Sequence, residues 1–179
     1  MTSATRAIAP EPGHTMKTLS IAITALGLLL AGCASEPTWL APGTPRAEAL
    51  QKLGAPTASF ALGQGERLQY SRQPMGFEVN NVDLDAQGRV IGVTQVLDEL
   101  RFAQDIQIDR WRQDDVLRTY GRPEQVSRVS SFDGVVWQWR YKQLNNPRLL
   151  YIYLDPQGVV RRYHVGDDLR FVPPNGGRS

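Results

Sequence analysis

The feature that most constrains the fold is a series of motifs that occurs twice in this chain of 179 residues. Gly54 aligns with Gly121 at an offset of 67, and Asp85 aligns with Asp155 at an offset of 70. Such slow growth of the offset is what short loop insertions produce. A period of this length indicates two supersecondary units, each of which gains stability by packing on the other.

The first unit begins with a short helix. Thr44 and Pro45 form a helix start, in which the Thr44 hydroxyl caps the backbone and Pro45 takes the first helical position. Gly54 ends the helix, and Pro56 prevents its continuation. The pattern predicts up to four strands, with a bulge at Asn80-Asn81. The predicted strands are 59–62, 66–72, 77–84 and 90–97.

The second unit repeats this order, with a helix within 109–120 and strands at 125–129, 135–141, 149–154 and 159–165. Tight turns such as Asp155–Gly158 join the strands, so the pairing is antiparallel, because parallel pairing needs long crossovers. The helix covers one face of its sheet and leaves the other face to solvent or to the second unit. The expected fold is α+β, with two tandem repeats, each a short helical segment packed on a three- or four-stranded antiparallel sheet.

Composition narrows the class of partner. The 20 Lys and Arg residues nearly balance the 18 Asp and Glu residues, and no block of like charge occurs, so we expect no nucleic-acid partner. Hydrophobic residues make up 41% of the chain, which is enough for an ordinary core. The single cysteine, Cys33, leaves the fold without an internal disulfide.

The amino-terminal segment has the pattern of a secretion signal. Lys17 follows Met16, and an apolar run extends from Leu19 to Leu30. That run is too short for a bilayer, which needs about 20 residues, but it suits the apolar region of a signal peptide. Residues 1–15 are polar and show no core pattern, so we expect translation to start at Met16.

The run ends in Leu30-Ala31-Gly32-Cys33. This sequence resembles the bacterial lipobox, in which the signal is cut before the cysteine. The resemblance implies cleavage between Gly32 and Cys33, a diacylglycerol thioether on the Cys33 sulfur, and an acyl chain on its new amino group. Ala34 follows where an aspartate would favour retention at the inner membrane, so the resemblance implies a periplasm-facing lipoprotein anchored in the outer membrane.

The duplicated motifs also carry a family resemblance. They are Leu53-Gly54-Ala55-Pro56, Tyr70 and Asp85-x-x-Gly88-x-Val90 in the first unit, and Val116-x-x-x-Tyr120-Gly121-Arg122-Pro123, Trp139 and Asp155-x-x-Gly158-x-Val160 in the second. Both units resemble the SmpA/OmlA domain of BamE-type outer-membrane lipoproteins, which have one such unit. The tandem is also similar to the β-lactamase inhibitor protein fold, which binds an enzyme on a concave sheet.

These patterns divide the chain into five expected segments. They are a signal peptide at 1–32, a lipidated cysteine and tether at 33–43, a first repeat at 44–100, a second repeat at 101–172, and a flexible tail at 173–179.

We do not expect an enzyme. No G-x-S-x-G nucleophile elbow occurs, and His164 is the only histidine after the lipobox. A calcium loop at Asp83-x-Asp85-x-Gln87-Gly88 is a weak alternative, because Thr94 stands where a bidentate glutamate is needed. The simpler interpretation is a hairpin turn that starts at Asp85. We therefore expect no cofactor, no metal and no small-molecule substrate.

One strand carries a row of aromatic residues that permits two interpretations. Trp137, Trp139 and Tyr141 share a face, which is either core against the helix or part of a protein-binding surface. Arg140 points the other way. Arg161 and Arg162 either meet a partner or, together with Arg148, meet lipid phosphates. Otherwise these arginines form a solvated edge that discourages aggregation. The candidate partner-binding residues are Trp137, Trp139, Tyr141, Arg140, Arg161 and Arg162.

The sequence thus favours a membrane-anchored protein whose body binds an envelope protein, as an accessory or scaffold in outer-membrane protein assembly or envelope maintenance. An inhibitor of a periplasmic enzyme and a lipid- or envelope-glycan-binding module are the alternatives.

Overall fold

The computed structural model describes residues 40–171, which contain three α-helices and two four-stranded antiparallel sheets. The α+β class and the antiparallel sheets predicted from the sequence are therefore confirmed. The helices are α1 (Arg46–Leu53), α2 (Glu99–Asp105) and α3 (Gln113–Tyr120). The first sheet contains β1 (Ala58–Leu62), β2 (Gly65–Ser71), β3 (Val79–Leu84) and β4 (Val90–Gln95), and the second contains β5 (Gln125–Ser127), β6 (Val135–Gln143), β7 (Asn146–Leu154) and β8 (Val160–Asp167).

Each sheet is a meander in which consecutive strands pair. The last hairpin of each sheet is built around an aspartate. Asp85 Oδ1 accepts hydrogen bonds from the amides of Gln87 and Arg89 at 2.9 and 2.8 Å. Asp155 Oδ1 accepts the equivalent bonds from Gln157 and Val159 at 3.0 and 2.8 Å. The aspartates therefore shape turns, as the hairpin interpretation predicted.

The two halves also share the contacts that join each helix to its sheet. The Arg46 amide donates to the Gly88 carbonyl, and the Gln113 amide donates to the Gly158 carbonyl, both at 2.8 Å. Both helices end on a glycine in the left-handed region, with φ of +79° at Gly54 and +72° at Gly121. Glycine tolerates this conformation because it has no Cβ.

The first core lies between α1 and one face of the first sheet. Ala49 is fully buried there, and Leu50 packs beside it. Their partners on β2, β3 and β4 are Leu68, Tyr70, Val82, Leu84, Val90 and Val93.

The second core is larger and lies between the second sheet and helices α2 and α3. Trp139, Tyr120 and Phe102 are at most 1% exposed. Tyr120 contacts both of the others, with ring centroids 6.0 Å from Trp139 and 5.7 Å from Phe102. The burial of these large rings makes this the main apolar contribution to stability.

Three local features differ from the predictions. The Thr44 hydroxyl donates to the Ala41 carbonyl and does not cap α1. The bulge in the first sheet lies between Asp83 and Leu84, and Asn80-Asn81 pair regularly. Helix α2 was not predicted; Asp98 starts it by accepting from the Leu100 and Arg101 amides. Helix α3 lies within the predicted range 109–120. It begins at Gln113, because residues 109–112 pair with Val159 and Val160 at the start of β8.

No helix among residues 40–171 is long and apolar enough to span a membrane. The lipobox and Cys33 lie outside the described residues, as does the tail from 172 onwards.

Candidate partner-binding face

The face of the first sheet opposite α1 receives the carboxyl-terminal end of α3. The Gln69 Nε2 lies 3.3 Å from the carbonyl oxygens of both Leu117 and Arg118. The Asn81 Nδ2 donates to the Thr119 carbonyl at 2.9 Å. We call this surface, formed by alternate residues of β2 and β3, the docking face. It joins the two halves of the chain.

This contact satisfies a general requirement of helices. The last four carbonyls of an α-helix have no partner within the helix, and that end carries partial negative charge. The docking face supplies side-chain N–H donors at that end, and Gln69 and Asn81 are each 1% exposed. Each bond contributes about 1 kcal/mol, whereas a buried amide left without a partner would cost about 1–3 kcal/mol.

An ion pair borders the docking face. Arg67 Nε and Nη2 meet the two carboxylate oxygens of Asp83 at 2.6 and 2.7 Å, across paired positions of β2 and β3. The Arg67 Nη1 also lies 3.5 Å from the Arg118 carbonyl. This arrangement gives the helix end a positively charged neighbour, which suits its dipole.

The equivalent face of the second sheet lies opposite α3. Strand register places Gln138, Tyr151 and His164 in one row, and Val136, Tyr153 and Arg162 in the next. We call these six residues the open face. Arg162 and His164 are exposed, Gln138 and Tyr151 are half-buried, and Val136 and Tyr153 are buried. Within residues 40–171, the hydrogen bonds and ring contacts of these six side chains involve loops and strands but no α-helix.

The open face consists of stacked rings. The Tyr151 and His164 rings are nearly parallel, with centroids 4.6 Å apart and an angle of 13° between their planes. The Arg162 guanidinium lies 3.9 Å from the centre of the Tyr153 ring. Phe132, from the loop before β6, meets the same tyrosine edge-on at 5.2 Å. These contacts hold the Arg162 guanidinium in place on a residue that remains exposed to solvent.

The electrostatics of the open face favour hydrogen-bond donation. Burial lowers the pKa of His164 below its ordinary value of 6.5, and the charge on Arg162 lowers it further. Burial also raises the pKa of Tyr151 above 10.0. At neutral pH both rings are therefore uncharged and each carries a donor. Gln138 and Arg162 supply further N–H groups, so the face can bind carbonyl or carboxylate oxygens.

A network of charges closes one end of the open face. Arg140 Nη2 lies 3.3 Å from Glu124 and 3.7 Å from Asp168, and its side chain is only 12% exposed. Arg170, in the short 3₁₀ helix after β8, binds the same two carboxylates. The hydrogen bond from Arg170 holds the pKa of Asp168 below 3.8. Arg140 is therefore a structural residue, and the prediction that it meets a partner is corrected.

The predicted aromatic site is also corrected. Trp137 is 7% exposed, and Trp139 and Tyr141 are fully buried. They face α2 and α3 in the second core, and the Tyr141 hydroxyl donates to Glu99 at 2.7 Å. The alternative interpretation, in which this row is core, is what the structure shows.

The remaining predicted arginines have different surroundings. Arg161 donates to Asp109 and Asp155, at 2.7 Å in each case. Its guanidinium is thus held by two carboxylates on the protein surface. Arg162 lies on the open face, where no carboxylate of the described chain forms an ion pair with it. Of the six predicted residues, Arg162 is the one that is exposed and forms no ion pair with a carboxylate of the described residues.

A groove of about 470 Å³ lies beside the docking face, where β1 meets the turn after α3. Leu117, Phe60 and Pro123 contribute apolar walls, and Gln69 and Gln73 contribute polar ones. Gln73 Nε2 also donates to the Arg140 carbonyl at 2.7 Å, which ties the loop before β3 to the second sheet. Among residues 40–171, no group of three potential metal ligands occurs.

No protein-family model and no curated protein matches the chain. Among solved structures, it is similar to a DUF4309 family protein (YjgB) from Bacillus subtilis, with 10% identity and a TM-score of 0.29. That alignment covers 69% of this chain and 78% of the other. The similarity is too distant to carry an argument about fold or function.

The sequence alone does not show that Gln138 shares a face with Tyr151, Tyr153 and His164, because that depends on the strand register. Strand alternation separates Gln138 from the tryptophans, but it does not show which face is covered. The repeat could have indicated this face, because Gln138 aligns with Gln69 at an offset of 69.

Proposed function

We propose that this protein is a lipoprotein anchored in the outer membrane through Cys33, and that its body binds another envelope protein. Its role is that of an accessory or scaffold in outer-membrane protein assembly or envelope maintenance. The anchor rests on the sequence Leu30-Ala31-Gly32-Cys33 after an apolar run.

The observation that supports protein binding is the contrast between the two sheets. The docking face of the first sheet is filled by α3, through Gln69 and Asn81. The equivalent face of the second sheet carries the exposed side chains of Arg162 and His164 beside the half-buried Tyr151. Tyrosine and arginine are the residues that most often dominate the affinity of protein interfaces.

The proposed mechanism is passive. Acyl chains on Cys33 would hold the body at the membrane, since two or more lipid signals give stable anchoring. Tethering raises the effective concentration of the open face near a membrane-bound partner, so a weak contact suffices. No bond is made or broken in this role.

Anchoring is tested with Cys33→Ser. We expect this change, and treatment with the signal-peptidase inhibitor globomycin, to leave the signal uncut and to shift the protein out of the outer-membrane fraction. Unchanged processing and fractionation of the variant would refute the anchor.

Binding is tested by crosslinking in native membranes, followed by purification of the full chain and identification of its partners. Subunits of outer-membrane assembly are the expected partners. A periplasmic hydrolase would instead favour the inhibitor alternative.

The lipid or glycan alternative has less support. Arg161 forms ion pairs with Asp109 and Asp155, and Arg148 forms ion pairs with Glu99 and Asp167, so two of its three proposed phosphate-binding arginines are already paired. Loss of vesicle binding in the double variant Arg161→Ala, Arg162→Ala would nevertheless favour it.

A further inference from the structure

The open face is the counterpart of a surface whose occupant is known. Within the chain, the docking face holds the carbonyl end of α3 through Gln69, and Gln69 is equivalent to Gln138. The hydrogen bonds that place these two glutamines are also equivalent, since the carbonyls of Gln69 and Gln138 accept from Thr57 and Glu124. The fold therefore contains one position that is occupied by the end of a helix and an equivalent position where Gln138 binds a side chain, Glu124, instead.

The present contact of Gln138 resembles that of Gln69. Its Nε2 donates to Glu124 Oε2 at 3.3 Å. The Glu124 oxygen thus has the same role at Gln138 as the carbonyl oxygens of α3 have at Gln69. Arg140 and Arg170 neutralise Glu124. Further along the face, Tyr151, His164 and Arg162 carry N–H or O–H groups. The position is therefore complementary to a cluster of carbonyl oxygens with partial negative charge.

We infer that the open face binds the carboxyl-terminal end of a helix that belongs to another protein. This inference rests on the proposed protein-binding function and specifies the chemistry of the partner. The free carbonyls of the partner helix would accept from Gln138, Tyr151 and His164, and the Arg162 guanidinium would lie beside its last turn.

The residues disfavour two other occupants. In a second copy of this chain, the equivalent helix end is that of α1, which carries Lys52 where α3 carries Thr119. Lys52, which is paired with Glu48, would bring a lysine to a face that already carries Arg162, whereas the end of α3 brings a neutral threonine. A glycan stacks on free aromatic faces, but one face of Tyr151 is covered by His164 and one face of Tyr153 by Arg162.

The test is photo-crosslinking in cells with the full chain. Benzoyl-phenylalanine replaces Tyr151 or His164 in the test proteins, and Gln51 or Gln87 in the controls, which lie on other exposed surfaces. Mass spectrometry then identifies the partner residue in each adduct. The expected result is an adduct from the open face whose crosslinked residue lies in the last turn of a helix, or within the few residues after it.

Charge variants make the result specific. Arg162→Glu should reduce the adduct from position 151 by roughly tenfold or more, which is the effect of losing a charge-assisted hydrogen bond. Arg162→Lys should retain most of it. Arg110→Glu, an equal change of charge at an exposed site outside the open face, should have no effect. Thermal unfolding of each purified variant checks that the fold is intact.

Three outcomes overturn the inference. They are an adduct that maps to a strand or to the start of a helix, an adduct between two copies of this chain, and an open-face adduct only to lipid or glycan. If the controls crosslink to a protein and the open face does not, the inference fails but the proposed protein binding stands. If no position crosslinks to a protein, both fail.

Discussion

Gln69 and Gln138 occupy equivalent positions in the two sheets, and the Nε2 of each lies 3.3 Å from an acceptor oxygen. For Gln69 the acceptors include the last carbonyls of α3, and for Gln138 the acceptor is the Glu124 carboxylate. Gln69 thus joins the two halves of the chain, whereas Gln138 lies on a partly open surface.

Replacing Gln69 by leucine should destabilise the protein by about 2 kcal/mol, because buried carbonyls of α3 would lose their donor. Gln138→Leu is the matched control and should cost less than about 1 kcal/mol, since Gln138 is half-buried and water can replace it. Urea unfolding measures both values. An equal loss in the two variants would contradict the different roles assigned to the glutamines.

Two glycines provide a second matched pair. Gly54→Ala should cost about 1–3 kcal/mol from its left-handed backbone alone, because no atom lies within 4 Å of the added Cβ. Gly121→Ala has the same backbone cost, and its Cβ would also lie 2.7 Å from Gln69 Oε1. The hydrogen bonds of Gln69 prevent easy movement of that side chain. We expect the Gly121 variant to unfold at a lower urea concentration than the Gly54 variant, and the reverse order would be inconsistent with this packing.

Trp139→Ala should cost about 3–5 kcal/mol, because it leaves a cavity beneath α3. Met75→Ala is the control, since Met75 is 86% exposed, and it should change stability by less than about 0.5 kcal/mol. Thermal or urea unfolding gives the comparison. A small loss for Trp139→Ala would mean that the ring is not part of the core.

His164 should make stability depend on pH. Its pKa in the folded protein is below the ordinary 6.5, so the unfolded chain binds more protons as the pH falls through 6.5. The free energy of unfolding should therefore decrease from pH 7 toward the folded pKa and then level off. His164→Gln should remove this part of the slope.

The cause of that shift can be measured separately. Proton NMR titration of His164 should give a pKa below 6.5, and Arg162→Gln should move it upward, because the nearby positive charge is removed. A pKa that did not respond to Arg162→Gln would leave burial as the sole cause.

Local chemistry explains which features could be predicted. Gly54 and Gly121 end helices, and Asp85 and Asp155 start turns, through contacts within a few residues of themselves. Alternation likewise separates Trp139 from Gln138 on the two faces of β6. Helix α2 could not be predicted in the same way, because it has only seven residues and its apolar residue Phe102 packs in the second core against residues distant in sequence.

The sequence by itself determined the repeat, the class of fold, the turns and the helix ends, because short-range contacts specify each of them. Only the tertiary structure decided which sheet faces are covered. Gln69 and Leu117 are 48 residues apart, and their contact depends on where α3 packs on the second sheet. That packing fills the docking face, buries the tryptophans, and leaves Arg162 and His164 exposed on the open face.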